Sequence, residues 1–307
     1  MRKSILIALI LLLVIAASGL SACGSESSGI TLTDDQGREV SVPNNPKRIV
    51  SLGAPITEIL FALDLGDRVV GTDDYSDYPE AAKSVPKVGA PWPGFSTETI
   101  LDQEPDLILS YAGTIVQQLE PYGVPVFVIQ PTDIEGIYED IRLIGRICGK
   151  KKQASDLVNS LTARVNAVTA KTGGLTDEER PTIFYEVDAT DPTSPYTVGS
   201  GTFQNELITL AGGRNIAATQ SGWYPISLEE LVNADPDMII LEDYQYGVSP
   251  ESVGARSAAW AGLSAVKSGQ VYPIENADLT SRYGPRIVEG LEMLASTIHP
   301  DLFSGSS

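Results

Sequence analysis

One histidine, His299, and two cysteines, Cys23 and Cys148, are spread over 307 residues. That leaves too few soft ligands for a zinc site and no base to spare for a histidine-dependent triad. Basic residues are also scarce. Twenty-one Lys and Arg against forty Asp and Glu give a formal charge of −19 and a pI near 4.3. A surface of that sign repels phosphate backbones, which excludes nucleic-acid binding. Missing too are a Gly-x-Ser-x-Gly elbow, a His-Glu-x-x-His pair and a P-loop lysine motif, so an enzyme is the minor reading and no residue is assigned a catalytic role. What is present is an ordinary globular balance, 42% hydrophobic and 20% charged, in a chain long enough for two lobes.

The longest apolar run, Ile5 to Ala17, follows Arg2 and Lys3 and leads into Leu20-Ser21-Ala22-Cys23. It is short of the roughly 20 apolar residues a membrane span needs, and a Gly/Ser-rich stretch, Gly24 to Gly29, follows at once. Residues 1–23 therefore read as a signal peptide. Leu20-Ser21-Ala22-Cys23 resembles a lipobox, which implies that Cys23 is acylated and becomes the mature N-terminus. Acyl chains contributing ~0.8 kcal/mol per buried CH₂ would hold the domain on the membrane without a span. Loss of Arg2 and Lys3 leaves 19 basic against 40 acidic residues, a net charge of −21. Cys148 then has no disulfide partner. At the apolar end of Leu143-Ile144-Gly145-Arg146-Ile147-Cys148 it reads as a buried small hydrophobe, not a reactive thiol.

Beyond residue 30, short β-branched runs alternate with helical patterns, predicting an α/β fold with mostly parallel sheets. Strands are expected over 48–52, 68–72, 107–110, 124–129, 182–187, 238–241 and 271–274. Helices are expected over 56–63, 97–103, 136–148, 151–171, 204–211, 228–233 and 285–298. A repeat is the stronger signal. Trp92, Ser96, Glu98, Ile100, Pro105, Asp106 and Ile108 recur as Trp223, Ser227, Glu229, Leu231, Pro236, Asp237 and Ile239, every pair 131 residues apart. Seven matches in register imply two homologous lobes, each a mostly parallel sheet flanked by helices. A looser echo pairs Thr57-Glu58-Ile59-Leu60 with Asn205-Glu206-Leu207-Ile208.

Between the lobes, Ala154, Leu157, Val158, Leu161, Val165 and Val168 recur at helical spacing with no Gly or Pro among them. A single long α-helix is expected there, a stiff hinge. The organisation is thus a signal peptide (1–23), a tether and N-terminal hairpin (24–46), an N-terminal lobe (47–150), the hinge helix (151–172), a C-terminal lobe (173–303) and a tail (304–307).

Trp92, in Ala90-Pro91-Trp92-Pro93-Gly94, and Trp223, in Ser221-Gly222-Trp223-Tyr224-Pro225, are flanked by turn residues. Each is expected on a loop just before a helix. Such indoles either plug their own lobe or line a shared cleft. Tyr75, Tyr78 and Tyr196 follow strands, the edge where ligands bind in open α/β sheets, and aromatics there suit a large, flat, partly apolar ligand. Trp260 reads as packing. Glu98 and Glu229 each follow a serine by two residues. They could serve only the helix N-terminus, or present two matched anionic pegs to a two-fold partner.

The lipobox, Ile30 to Val40, Pro46-Lys47-Arg48-Ile49-Val50-Ser51-Leu52 and Thr57-Glu58 together resemble the helical-hinge substrate-binding proteins of ABC importers, over essentially residues 30–303. The resemblance is nearest to cobalamin-binding members, through Tyr75-Ser76-Asp77-Tyr78-Pro79, Trp92-x-Gly94, Pro195-Tyr196-Thr197, Trp223 and Asp278 ahead of Pro285-Arg286-Ile287. It implies an extracytoplasmic, lipid-anchored, monomeric receptor without a cofactor of its own. Cobalamin or another corrinoid would be bound by Tyr75, Tyr78, Trp92, Tyr196, Trp223 and Asp278. Glu98 and Glu229 would dock on a dimeric permease that works with an ATPase. One departure is Asp278-Leu279-Thr280, where cobalamin binders carry an aromatic pair after the aspartate. It leaves a variant corrinoid, or the family's ferric-siderophore and haem cargoes, as alternatives. The cationic candidates for a siderophore are Arg214, Arg282 and Arg286; for haem, His299 at the end of the last helix is badly placed.

Overall fold

The computed structural model describes residues 29–304, so the signal segment, Cys23 and residues 305–307 lie outside the described residues. The chain opens with an antiparallel hairpin of β1 (Ile30–Thr33) and β2 (Glu39–Val42). Asp34, buried in its turn, accepts from the backbone N–H of Arg38 at 3.0 Å and of Val128 at 3.2 Å, pinning the hairpin to the first lobe.

That lobe is built on β3 (Ile49–Leu52), β4 (Val69–Thr72), β7 (Leu107–Ser110) and β8 (Val126–Val128), in the order β4-β3-β7-β8 and all parallel. β3, β7 and β8 are buried at every position. Near-continuous apolar runs, interrupted only by the buried Ser51 and Ser110, are what a sheet covered on both faces requires. A two-residue pair, β5 (Gly89–Ala90) and β6 (Gly94–Phe95), forms a small hairpin that carries Trp92 at its tip.

The second lobe keeps the parallel core but is mixed. β9 (Thr182–Asp188), β11 (Arg214–Asn215), β13 (Met238–Leu241) and β14 (Val271–Pro273) run parallel. β10 (Tyr196–Val198) pairs antiparallel to β9, and β12 (Trp223–Pro225) antiparallel to β10 at the edge. Here the expectation of a loop around Trp223 fails. Gly222 and Pro225 read as turn markers, yet an edge strand tolerates a proline because its missing N–H faces no partner.

Lys151–Thr172 is one continuous helix of 22 residues, roughly 33 Å long at ~1.5 Å per residue. Gly149, in the left-handed region at φ 71°, separates it from the preceding helix Ile134–Ile147. The two helices touch so closely that a methyl group on Gly145 would collide with Ala154. On its other side the hinge helix packs on Ile287–Ile298, where Arg164 donates to both carboxylate oxygens of Glu292 at 2.8 and 2.6 Å. The single rod is thus fixed to both lobes. Cys148, at the end of helix Ile134–Ile147, is fully buried, and burial pushes its thiol up to about 12, so it is inert.

Candidate ligand-binding cleft

The lobes meet through two helices that occupy matching places, Ala54–Ala62 and Phe203–Leu210. Each sends a glutamate across. Glu206 accepts from the backbone N–H of Ile134 at 3.1 Å and so caps a helix of the other lobe. Glu58, buried, accepts from Arg286 Nε at 3.0 Å and Nη2 at 2.6 Å. The Thr57-Glu58 and Asn205-Glu206 echo therefore marks paired interlobe brackets. The lobes come near enough that a Cβ on Gly284 would sit 3.2 Å from the Pro55 carbonyl oxygen.

Around Glu58 the charges close into a ring. Arg282 Nη1 donates to Asp77 at 2.6 Å, and its Nε lies 2.9 Å from Asp278. Glu58 also lies 3.8 Å from Arg282, and Asp278 3.9 Å from Arg286. Two acids of the first lobe thereby hold two arginines of the second. Burial raises the Glu58 carboxyl, against the lowering effect of Arg286. For Asp77, slight burial pushes upward, but the hydrogen bond and charge of Arg282 prevail and hold it low.

The aromatic residues separate by location. Trp92 is 83% exposed and Trp223 49%, whereas Trp260 is wholly buried. The Trp260 indole donates to the Pro192 carbonyl at 2.9 Å, with the Arg256 guanidinium 4.5 Å above its ring. Tyr75, Tyr78 and Tyr196 are about as exposed as Trp223. Plugging a lobe core is thus the role of Trp260 alone among the tryptophans.

Tyr75 opens onto a cavity of about 450 Å³ between the lobes, with Asp73, Pro91, Tyr111, Arg282 and Tyr283. Its floor is aromatic: Tyr111 and Tyr283 approach to 6.4 Å between ring centroids, and Tyr283 stacks on Phe203 at 4.0 Å. Tyr196 borders a second depression of about 400 Å³ with Asp188, Asp191 and Pro225. Tyr78, only three residues from Tyr75, is not with it. Its ring lies 3.9 Å from the Arg286 guanidinium and faces a separate cavity of about 350 Å³ against the hinge helix, beside Leu161 and Arg164. Trp92 and Trp223 border none of these three cavities. Asp278 opens the short helix Asp278–Ser281 and is engaged by the two arginines.

Sequence reasoning passed over Tyr111 and Tyr283, and also Tyr244 and Tyr246, exposed on the turn after β13. The same strand-end rule that picked Tyr75 applies directly to Tyr111 and to the 244–246 turn. Tyr283 gave no such signal, because it reaches the cleft from the approach to the last long helix.

Glu98 and Glu229 are both exposed, and no ion pair among the described residues involves either. Ser96 caps its helix by accepting from Thr99 N–H at 3.2 Å. At Ser227 the acid that closes the capping box is Glu230, not Glu229, which leaves Glu229 unengaged.

Among the described residues no three His, Cys, Asp or Glu side chains converge as metal ligands would. His299 Nε2 lies 3.1 Å from the Gly212 carbonyl, just before β11. β11 pairs with the first residues of β9, so the only histidine stands at the sheet end opposite the cleft. Arg214 is there too.

A family model described as "Periplasmic binding protein" matches residues 49–277. The chain is 33% identical to the ABC transporter substrate-binding lipoprotein YvrC of Bacillus subtilis strain 168, over 95% of this chain and 96% of that protein. It is 30% identical to the vitamin B12-binding protein of Yersinia pestis strain Pestoides F, over 81% of this chain and 85% of that one. Among solved structures, a possible iron-binding periplasmic solute-binding protein of Staphylococcus epidermidis superposes with a TM-score of 0.73 at 27% identity, covering 83% of this chain and all of that one.

Proposed function

The chain belongs to the periplasmic binding protein family, the substrate-binding, non-enzymatic components of ABC transporters, and from that premise we propose that its cargo is cobalamin or a related corrinoid. The observation that carries the reading is the interlobe cavity opened by Tyr75 and floored by Tyr111 and Tyr283, with Trp92, Tyr196 and Trp223 exposed outside it on the two lobes. A corrin ring is broad, flat and apolar on its faces, and with its side chains the whole corrinoid is too large for the 450 Å³ cavity. It would rest on the rim, with Tyr75 beneath it and Trp92, Tyr196 and Trp223 at its margins. Exposed indoles are costly to leave in water and gain most from such a partner. Similarity to vitamin B12-binding proteins supports the same cargo.

The other cargoes of the family find less here. The sole histidine, His299, lies at the far sheet end, and Arg282 and Arg286 are already paired with carboxylates. Tyr78 and Asp278 act in this reading by shaping the cleft: Tyr78 stacks on Arg286, and Asp278 holds both arginines. No helix of the described residues is long and apolar enough to cross a membrane. Lipid on Cys23 would hold the receptor at the outer face of the cell membrane, as a monomer. Glu98 and Glu229 would then meet cationic side chains of a two-fold permease, whose ATPase supplies the energy.

The test is the visible absorption of the purified chain after incubation with cobalamin and removal of free ligand. Retention of one corrinoid per chain supports the reading. A protein that stays colourless after incubation with cobalamin but retains haem or a ferric chelate when offered one overturns it.

A further inference from the structure

We propose that the cleft selects its cargo by charge, admitting electroneutral or cationic metal complexes and excluding polyanionic ones. The inference rests on the receptor reading above and adds the charge class of the substrate. It comes from pairing each charge along the cleft edge. Arg282 has Asp77 at 2.6 Å and Asp278 at 2.9 Å; Arg286 has Glu58 at 2.6 Å. Arg256, behind the second lobe's rim, is clamped at both terminal nitrogens by Glu186 at 2.6 Å. Lys87 points inward and donates to Thr72 Oγ1 at 3.0 Å and to the Ser76 carbonyl. The remaining candidate, Arg214, stands at the opposite sheet end. Every cation of this edge named here is therefore engaged by groups of the protein itself.

The acids are not matched in the same way. Asp73 lines the cavity beside Tyr75, and Asp74 is exposed next to it. Asp188 and Asp191 flank Tyr196 in the second depression, where their hydrogen-bond donors are backbone N–H groups and the Thr193 hydroxyl, not cations. A chain with forty acids and twenty-one bases adds a background field of the same sign. An entering anion would meet repulsion with no free guanidinium to offset its lost hydration. A neutral complex meets no such barrier, and a cationic one is drawn in by the field.

The test uses ligand pairs that share a metal complex and differ chiefly in charge. One pair is cyanocobalamin and the same corrinoid with three side-chain amides hydrolysed to carboxylates. The other is a ferric trihydroxamate bearing a free ammonium and the same chelate succinylated to an anion. At low salt, affinity should fall on the order of tenfold for each negative charge added, and the gap should narrow at high salt. The double variant Asp77→Asn with Asp278→Asn, which leaves Arg282 only the more distant Glu58 carboxylate at 3.8 Å, should narrow it as well. Asp74→Asn, an exposed change that does not disturb the ring, should do so to a smaller degree. If only the iron pair binds and its cation wins, the corrinoid reading falls and the charge rule stands. The rule is overturned if the anionic member of a bound pair binds as tightly as its partner, or if neither pair binds.

Discussion

Replacing Arg286 with methionine removes one of the two arginines that span the lobes and leaves Glu58, 3% exposed, without its bidentate partner. Breaking one side of a buried ion pair costs about 3 to 5 kcal/mol, because the surviving charge stays out of water. Methionine keeps most of the apolar stem, so little of that cost is lost packing. For the described residues 29–304, unfolding entropy of ~2.1 cal/mol/K per residue converts this into a fall in Tm of about 5 to 9 °C. The pH dependence is the sharper signature. Burial already raises the Glu58 carboxyl in the presence of Arg286, and without the guanidinium it rises further. An acid whose folded pKa is raised destabilises the fold above its unfolded pKa and ceases to do so below it. The deficit of Arg286→Met against the parent should therefore be full near pH 7.5 and shrink as pH falls towards ~4.5. Adding Glu58→Gln should recover part of the loss, since a neutral amide is cheaper to bury than an unpaired carboxylate. Thermal and urea unfolding followed by circular dichroism measure all of this. An Arg286→Met variant within ~0.5 kcal/mol of the parent, or a double variant as unstable as the single, would refute the idea that this pair joins the lobes.

Three further outcomes follow from the same structure. Trp92→Ala or Trp223→Ala should weaken corrinoid binding by ~1 to 3 kcal/mol in calorimetry and leave Tm nearly unchanged, whereas Trp260→Ala should cost ~3 to 5 kcal/mol of stability; the reverse pattern would place the cleft elsewhere. Replacing Glu98 and Glu229 together should abolish ligand uptake by cells while calorimetric affinity stays put, and loss of affinity would move those acids into the pocket or the fold. Asp140 is buried with one carboxylate oxygen unpartnered, and burial, then Asp35 and Glu139, push it up to about 8. Its penalty is therefore largest above pH 8 and fades as pH falls towards its unfolded value. Asp140→Asn should flatten the slope of Tm against pH over that range, and an unchanged slope would rule Asp140 out as its source.

How far the sequence could be read depended on whether a feature was local. The hinge helix was legible because its buried residues repeat at helical spacing without a breaker, and the two lobes because a segment repeated 131 residues further on survives in register. The exposed indoles were legible from their Pro and Gly neighbours. Trp223 nonetheless sits in an edge strand, since pairing with β10 is a tertiary choice that turn residues do not forbid. The division between Tyr75 and Tyr78 was out of reach, because it depends on Arg286, 208 residues further along, taking one ring and not the other. The Glu58 and Glu206 echo was visible as a repeat, but its use as interlobe brackets appears only once Arg286 and Ile134 are placed against it.

The most direct test of the central claim is calorimetric titration of the purified chain with cyanocobalamin, alongside the Trp92→Ala and Trp223→Ala variants. The account predicts saturable binding at one corrinoid per chain, weakened in both variants. Heats no larger than dilution in the parent, or equal affinity in all three proteins, would contradict it.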